Sequence, residues 1–180
     1  MTKQVLITED NGAEMFPEVD ENGNIIGAIS RGEAHSGTKR LHPVVHLHVF
    51  DSAARLYLQH RADWKEIQPG KWDTAVGGHV DLGESTEQAL LREAGEELGL
   101  QPGHYTPQFI TSYVYESTVE RELVYIYRTT IDDESLLHPS ATETQGGRFW
   151  ADAEIRASIG RNTLTPMFEQ EYKRHLMPNS

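Results

Sequence analysis

The sequence of 180 residues contains no cysteine, which excludes disulfide bonds and thiolate metal sites. No apolar run approaches the ~20 residues that a membrane-spanning helix needs. Basic residues are scarce, with 16 Lys and Arg against 28 Asp and Glu and a net charge of −12. This balance disfavours nonspecific binding to nucleic acid or to an anionic membrane. The first ten residues lack a secretory pattern, so we expect a cytoplasmic location.

The patterns that are present indicate one α/β domain without repeats, low-complexity segments or linkers. Asn22-Gly23 between two apolar runs predicts a β-hairpin over 15–29, because both residues tolerate the backbone angles of a tight turn. The segment 30–41, rich in Gly, His and basic residues, is typical of a loop, as is 61–72. Alternating or β-rich patterns predict strands over 44–50, 55–60, 73–76, 108–116 and 120–131, and a short strand that ends at Trp150.

Helix signals are clearest in the middle of the chain. Ser85 followed by Gln88 forms a capping box, and Gly99 suits the end of a helix, so a helix is predicted over 86–98. Later helices are predicted over 153–159, capped by Asp152, and from Thr165-Pro166 towards the C-terminus. We expect a single domain over 1–180, with a hairpin and loop extension at 1–41, a core at 42–160 and a C-terminal helix at 161–180.

Three acidic residues, Glu93, Glu96 and Glu97, fall on one side of the predicted central helix. At 3.6 residues per turn their side chains span only about 100° of arc. Carboxylates gathered in this way are typical of a site for Mg²⁺ or Mn²⁺ that also binds substrate phosphates. A solvated acidic helix face is the alternative for a bare acidic run. Gly77-Gly78 before the helix favours the metal site, because glycine lets a ligand approach the backbone closely.

The same stretch resembles the signature of the Nudix hydrolase superfamily, G-x5-E-x7-R-E-U-x-E-E-x-G-U, where U is aliphatic. The matching residues are Gly78, Glu84, Arg92, Glu93, Ala94, Glu96, Glu97, Gly99 and Leu100. The resemblance implies an α/β/α sandwich with a mixed β-sheet, and Mg²⁺- or Mn²⁺-assisted attack of water on a diphosphate linkage. It also implies that Glu93, Glu96 and Glu97 bind the metal and that Arg92 and Glu84 are structural partners at the catalytic site.

Such enzymes often carry a further acidic residue that acts as a base from a loop before a late strand. Glu143 is the candidate by position, since it precedes the strand that ends at Trp150. An exposed loop acid without a catalytic role is the alternative interpretation.

Outside the signature, about 19–125 is similar to one branch of the superfamily, isopentenyl-diphosphate isomerase. The shared pieces include Arg31-Gly-Glu-Ala-His35, Leu41-His42, Arg61-Ala-Asp-Trp-Lys65, Gly78-His79 and Glu120-Arg-Glu122. This resemblance implies a second metal site formed by His35, His42, His79, Glu120 and Glu122. It also implies that the diphosphate is bound by Arg31, Arg61 and Lys65. His46 and His48 match no ligand position and are interpreted as strand residues.

The chain departs from the isomerase branch at one decisive position. The isomerase uses a cysteine as an acid or base where this chain has Gly77. Glycine offers neither a proton nor a charge, so that proton transfer cannot operate here. The sequence therefore predicts an isomerase-like scaffold with hydrolase chemistry.

Three functions stay open on the sequence alone. The first is hydrolysis of a nucleoside diphosphate linked to another moiety, or of a related organic pyrophosphate. The second is isomerase-type chemistry on an allylic or homoallylic diphosphate with a substitute for the missing cysteine. The third is a non-catalytic Nudix ligand sensor. In each case we expect a small-molecule diphosphate partner and neither nucleic acid nor membrane, while the oligomeric state, including a homodimer, is left open.

Overall fold

The order of strands and helices follows the sequence patterns, with several short additions. The computed structural model describes residues 12–178, so 1–11, on which the expectation about a secretory pattern rests, and 179–180 lie outside the described residues. The strands are β1 (Met15–Val19), β2 (Ile25–Ser30), β3 (His42–Phe50), β4 (Leu56–Arg61), β5 (Trp72–Thr74), β6 (Val76–His79), β7 (Gln108–Glu116), β8 (Arg121–Thr130) and β9 (Thr144–Trp150). The α-helices are α1 (Arg31–Ala34), α2 (Thr86–Leu98), α3 (Asp152–Ser158) and α4 (Pro166–Glu171).

The seven-stranded main sheet is built around β3. Strand β8 runs parallel to β3 along its whole length, from His42 beside Glu122 to the opposite end of both strands. The other strand pairs of this sheet are antiparallel, so the sheet is mixed. On its other edge β3 pairs with β4 only at Phe50 and Leu56, and with β6 from Val44 to Leu47. Strands β4 and β6 therefore separate along this edge, which leaves room for a cavity.

Helices cover both faces of this sheet, because successive side chains of a strand point to opposite sides. One face of β3 packs with α2 in a core that contains Val45, Leu47, Val49, Leu90, Ala94 and Leu98. The opposite face of the neighbouring β4 packs with α3 and α4 in a second core that contains Leu56, Leu58, Trp150, Ile155, Leu164 and Phe168. The predicted α/β/α sandwich with a mixed β-sheet is confirmed.

The predicted hairpin is present as a separate two-stranded sheet of β1 and β2. Asp20 shapes its turn by accepting hydrogen bonds from the backbone N–H groups of Asn22 and Asn24, both at 2.9 Å. Gly23 has a φ of 84°, a conformation that favours glycine. The hairpin places Phe16 in stacked contact with His79, the last residue of β6 in the main sheet.

The structure corrects several local expectations. The predicted loop 30–41 contains the one-turn helix α1, because Ser30 and Glu33 form a reciprocal capping box that stabilises it. The strand predicted over 73–76 is two short strands, β5 and β6. Asp152 does not cap α3. It is the first helical residue, and its carboxylate instead accepts hydrogen bonds from Arg156 and Tyr172.

The C-terminal helix begins where the sequence predicts, with the Thr165 hydroxyl accepting the Phe168 N–H at 3.3 Å. After α4 it continues as a wider π-helical turn, Tyr172–Leu176. No helix between residues 12 and 178 has the length and apolar composition needed to cross a membrane.

Candidate active site

Helix α2 presents the predicted metal-binding glutamates, and its ends are defined locally. Ser85 accepts the Gln88 N–H at 3.1 Å, and the Gln88 side chain accepts the Ser85 N–H at 2.9 Å. At the other end Gly99 adopts a left-handed φ of 62°, which lets the chain turn away directly after Leu98. Both caps confirm the predicted helix bounds, so the acidic residues have the register that the spacing predicts.

Glu97 lies at the base of the site, where its carboxylate accepts the N–H of Gly77 at 2.9 Å. Burial, and after it the charge of Glu93, raise the pKa of Glu97 well above its ordinary value. Neighbouring carboxylates of this kind repel each other when both are ionised. A divalent cation bound between them would relieve this repulsion, because it favours the charged form of both.

Glu93 packs directly on the backbone of Gly78. A methyl group added to Gly78 would lie 2.1 Å from the carboxyl carbon of Glu93, so the glycine is required by this close approach. Burial raises the pKa of Glu93 to about 7, although Arg92 at 2.7 Å opposes the shift. Glu96 is more open, with its side chain 60% exposed and 3.5 Å from Arg92.

Arg92 connects the helix to the loop that precedes it. Its guanidinium donates to both oxygens of Glu84 at 2.9 Å and to the backbone carbonyl of His79 at 3.0 Å. Glu84 also accepts the Asp81 N–H at 3.1 Å, which closes the loop on itself. A planar fork that binds one carboxylate twice is a strong and directional contact. These contacts fix the loop that precedes α2 against the helix, next to the acidic cluster.

The donor set on α2 fits a divalent cation of the Mg²⁺ or Mn²⁺ type. Glu93, Glu96 and Glu97 offer only oxygen ligands, which these ions prefer. The close contact between Glu93 and Gly78 keeps one carboxylate against the backbone, and the Gly77 N–H orients another.

A cavity of about 100 Å³ opens beside Glu97, where β4 and β6 separate. Besides Glu97, its charged or titratable lining comes from His46, Arg61, Lys65, Asp73 and Glu143. Lys65 and Glu143 lie 3.2 Å apart, each more than a third exposed. The structure therefore brings together the predicted base and two of the three predicted phosphate-binding residues. Arg31 is elsewhere: it lies at the start of α1, 3.0 Å from Glu14, and does not line the cavity.

The five residues predicted to form a second metal site also converge, at the start of β3. His35, His42 and His79 each bring a ring nitrogen within 4.8 Å of the others, and His42, Glu120 and Glu122 form an overlapping group. The Nε2 atoms of His35 and His79 are 3.3 Å apart. Burial, followed by the charge of Glu120, raises the pKa of Glu122 to about 8.

His42 has the orientation of a metal ligand. Its Nδ1–H donates to the Arg40 carbonyl at 3.0 Å, which leaves Nε2 as the unprotonated nitrogen. That Nε2 is buried, has no hydrogen-bond partner within residues 12–178, and points towards Glu122 at 4.0 Å. Burial lowers the pKa of His42, which favours the neutral ring that can bind a cation.

A third polar cluster was not predicted. His46 and His48 are strand residues of β3, as interpreted from the sequence, but both contact the fully buried Glu171 of α4, at 2.8 and 2.6 Å. The Tyr113 hydroxyl donates to the same carboxylate at 2.6 Å. Burial opposes the charged form of His46, but Glu171 outweighs it and raises the pKa of His46 to about 9. An acid at the buried position next to Tyr172 in the terminal helix is the sequence signal that could have revealed this cluster.

The fold and the acidic helix define the class of protein: an α/β/α sandwich that presents carboxylates beside a small polar cavity. Residues 40–166 match the family model described as NUDIX domain. Over 164 residues the chain is 31% identical to an uncharacterised Nudix hydrolase of Streptomyces coelicolor, covering 89% of this chain and 87% of the relative. The chain therefore belongs to the Nudix family.

Two further comparisons describe its position within the family. Over 152 residues the chain is 36% identical to an isopentenyl-diphosphate Δ-isomerase of Leifsonia xyli, covering 81% of this chain and 80% of the relative. The predicted resemblance to this branch is thus confirmed. A solved structure of DR0079 from Deinococcus radiodurans superposes with a TM-score of 0.78 at 23% identity, covering 91% of this chain and 99% of that chain, which supports the fold.

Proposed function

We propose that this chain is a Mg²⁺- or Mn²⁺-dependent hydrolase that cleaves the pyrophosphate bond of a nucleoside diphosphate linked to another moiety, or of a related organic pyrophosphate. The observation that carries the proposal is the position of Glu97 in the wall of a cavity that also contains Arg61 and Lys65. Carboxylates that attract a divalent cation and side chains that attract phosphate oxygens meet there. A phosphoanhydride needs both, because its own negative charge repels an attacking water.

In this proposal the acidic helix holds the cofactor and the surrounding residues hold the substrate. Glu93, Glu96 and Glu97 would bind the ion, which supplies positive charge beside the phosphate oxygens when it is bound. Arg92 keeps Glu93 and the preceding loop in place and does not itself line the cavity.

Lys65 and Glu143 are suited to exchange partners when a substrate enters. Their ion pair is partly exposed, so it contributes little stability and is easily broken. Lys65 would then bind a phosphate oxygen, and the released Glu143 carboxylate would accept a proton from the attacking water. Arg61 is already fixed by the carbonyls of Ile67 and Gln68, and this gives the loop after β4 a defined position beside the cavity.

Isomerase-type chemistry is the second candidate, and the cluster of His35, His42, His79, Glu120 and Glu122 favours it. The argument against it is the absence of a proton donor at Gly77, since isomerisation needs two acid or base groups on opposite sides of an alkene. A second bound metal ion is compatible with either reaction. We therefore propose this cluster as a metal site that does not by itself decide the chemistry.

A substrate panel tests the proposal directly. Purified protein is incubated with Mg²⁺ or Mn²⁺ and nucleotide sugars, dinucleoside polyphosphates, nucleoside di- and triphosphates, or isopentenyl diphosphate. We expect phosphate-bearing cleavage products from at least one nucleotide substrate and no turnover after chelation. Migration of a double bond without release of phosphate would support the isomerase instead. Inertness towards all substrates, combined with tight binding of one of them, would support a sensor.

Glu97→Gln tests the proposed ligand role of Glu97, and a matched variant on the same helix controls for nonspecific effects. Glu87 is an exposed glutamate of α2 outside the acidic cluster. Glu87→Gln should retain the wild-type rate and the wild-type metal requirement. Equal loss of activity in Glu87→Gln and Glu97→Gln would indicate that the helix is sensitive to any charge change, and would contradict a specific ligand role.

A further inference from the structure

The buried carboxylate of Glu171 is the most unusual polar group outside the Nudix helix. It is fully buried, and three side chains from two strands contact its two oxygens: His46 and Tyr113 at one, and His48 at the other. A buried carboxylate is costly unless its charge is compensated and its oxygens accept hydrogen bonds. Here both conditions are met, so the cluster fixes the side chains around it.

The two histidines that bind Glu171 differ in what lies on their other side. His48 is fully buried and packs near Phe168, and its second nitrogen, Nδ1, has no hydrogen-bond partner in the described part of the chain. His46 is 8% exposed and lines the cavity that contains Glu97. Because Glu171 holds Nδ1 of His46, the nitrogen that faces away from the carboxylate is Nε2.

The Nε2 atom of His46 lies close to Gly77, the position at which this chain departs from the isomerase branch. A methyl group on Gly77 would lie 3.5 Å from His46 Nε2 and 3.3 Å from the adjacent ring carbon. Gly77 also donates its N–H to Glu97. The imidazole therefore lies next to the backbone position at which the isomerase carries its cysteine, on the wall of the cavity proposed to bind the diphosphate.

We propose that His46 contacts the substrate and that its Nε2–H donates a hydrogen bond to a phosphate oxygen. Glu171 and Tyr113 are then positioning residues for the His46 ring. This inference rests on the proposed hydrolase function. The carboxylate accepts the Nδ1–H of the same ring, which fixes the direction of the second N–H. Charge supports this role, because Glu171 stabilises the imidazolium, the form in which both ring nitrogens donate.

Geometry favours this interpretation over a metal ion bound inside the cluster. Each histidine nitrogen already lies at hydrogen-bond distance from its own carboxylate oxygen, and Tyr113 occupies a further acceptor position at 2.6 Å. A cation bound there would have to displace these donors. Glu171 and Tyr113, which meet His46 at one carboxylate oxygen, are therefore explained as a hydrogen-bonded support for His46, while His48 contacts the other oxygen.

Kinetics of two matched variants test the proposal. His46→Gln and His48→Gln each remove one histidine that binds Glu171, but only His46 lines the cavity. Using the best substrate of the panel, we expect His46→Gln to lower kcat/KM by ~100-fold, the scale for removing one donor to a developing charge. His48→Gln should stay near the wild-type kcat/KM. Equal losses of kcat/KM in the two variants would show that His46 has only a structural role and would overturn the proposal.

A spectroscopic measurement on the wild-type protein gives a test that depends neither on activity nor on the folding of a variant. Wild-type protein labelled with ¹⁵N-histidine is titrated with methylenediphosphonate in the presence of Mg²⁺, a probe that cannot be hydrolysed. We expect the Nε2 resonance of His46 to shift and the resonances of His48 to stay unchanged. In Glu171→Gln protein, the His46 ring should lose its imidazolium signature, and its response to the probe should weaken.

The outcomes separate this proposal from the proposed function. Hydrolysis of no substrate together with a selective His46 shift would refute the hydrolase while supporting the contact. Hydrolysis without any shift of His46 would refute the contact alone. Zn²⁺ that shifts both histidines in the absence of the probe, and no longer does so in Glu171→Gln, would identify the cluster as a metal site and overturn the proposal.

Discussion

Replacing Gly78 with alanine isolates the contact between the backbone and the acidic helix. The added methyl group would lie 2.1 Å from the carboxyl carbon of Glu93 and 2.3 Å from one of its oxygens. Because the clash is with the far end of a flexible side chain, the carboxylate moves and the backbone stays in place. The φ of Gly78 is outside the left-handed region, so alanine adds no backbone strain.

The effect on stability should be small, because two contributions oppose each other. Moving Glu93 breaks its charge-assisted hydrogen bond to Arg92, which costs about 1.5–3 kcal/mol. The same movement releases a carboxylate whose burial raises its pKa from 4.5 to about 7. That pKa is the net result of burial and of the opposing contact with Arg92, so ~3 kcal/mol of unfavourable burial remains to be relieved for the ionised form. We therefore expect Gly78→Ala to lower the free energy of unfolding by no more than ~1 kcal/mol, or about 2–4 °C in Tm.

The effect on function should be large, because in the proposed function a displaced Glu93 would no longer share a cation with Glu97. We expect Gly78→Ala to weaken Mn²⁺ binding by at least ~10-fold and to lower kcat by at least ~100-fold. Isothermal titration with Mn²⁺, steady-state kinetics and thermal unfolding measure the three quantities. Wild-type metal affinity and turnover in a folded Gly78→Ala protein would refute the assignment of Glu93 as a ligand.

Gly95→Ala is the matched control. Gly95 lies in α2 between the acidic residues, and a methyl group added there has no heavy atom within 4 Å. Alanine stabilises a helix interior by roughly 0.5–1 kcal/mol relative to glycine. Gly95→Ala should therefore unfold at a slightly higher temperature and keep the wild-type metal affinity.

Three further predictions concern the polar clusters. Glu97→Gln should lower turnover by at least ~100-fold in steady-state assays, and a near-native rate would show that Glu97 is not a working ligand. The stabilisation contributed by His46 should be complete below pH 6.5 and lost as the pH rises to about 9, because the folded pKa exceeds the ordinary value. Urea unfolding should resolve a difference of up to ~3 kcal/mol between wild type and His46→Gln across that window, and parallel pH profiles would refute it. His42→Gln should bind fewer Mn²⁺ ions per chain than wild type when counted by electron paramagnetic resonance, and an unchanged count would exclude His42 as a ligand.

The parts of the fold that depend on neighbouring residues could be predicted from the sequence. The bounds of α2 follow from its caps, and the hairpin follows from its turn, because both signals act within a few residues. The acidic cluster was predictable for the same reason, since Glu93, Glu96 and Glu97 share one helix. The one-turn helix α1 was missed because four residues do not establish a helical periodicity.

Contacts between distant segments could not be predicted from local patterns. The parallel pairing of β3 with β8 brings His42 beside Glu122, but nothing in either strand alone indicates which strand is its neighbour. The family resemblance provided that information for the His and Glu cluster. It provided none for Glu171, which contacts His46 across 125 positions of sequence and matches no motif.

The hairpin also influences the chemistry of the imidazole that it covers. Phe16 is fully buried and lies parallel to the His79 ring, with 4.4 Å between ring centroids. Burial is the main reason why the pKa of His79 lies well below its ordinary value. A divalent ion at this cluster would therefore meet little competition from protons for the His79 nitrogen, even in mildly acidic solution. Phe16, which supplies no ligand atom, would thus extend the pH range over which the cluster can hold a metal ion.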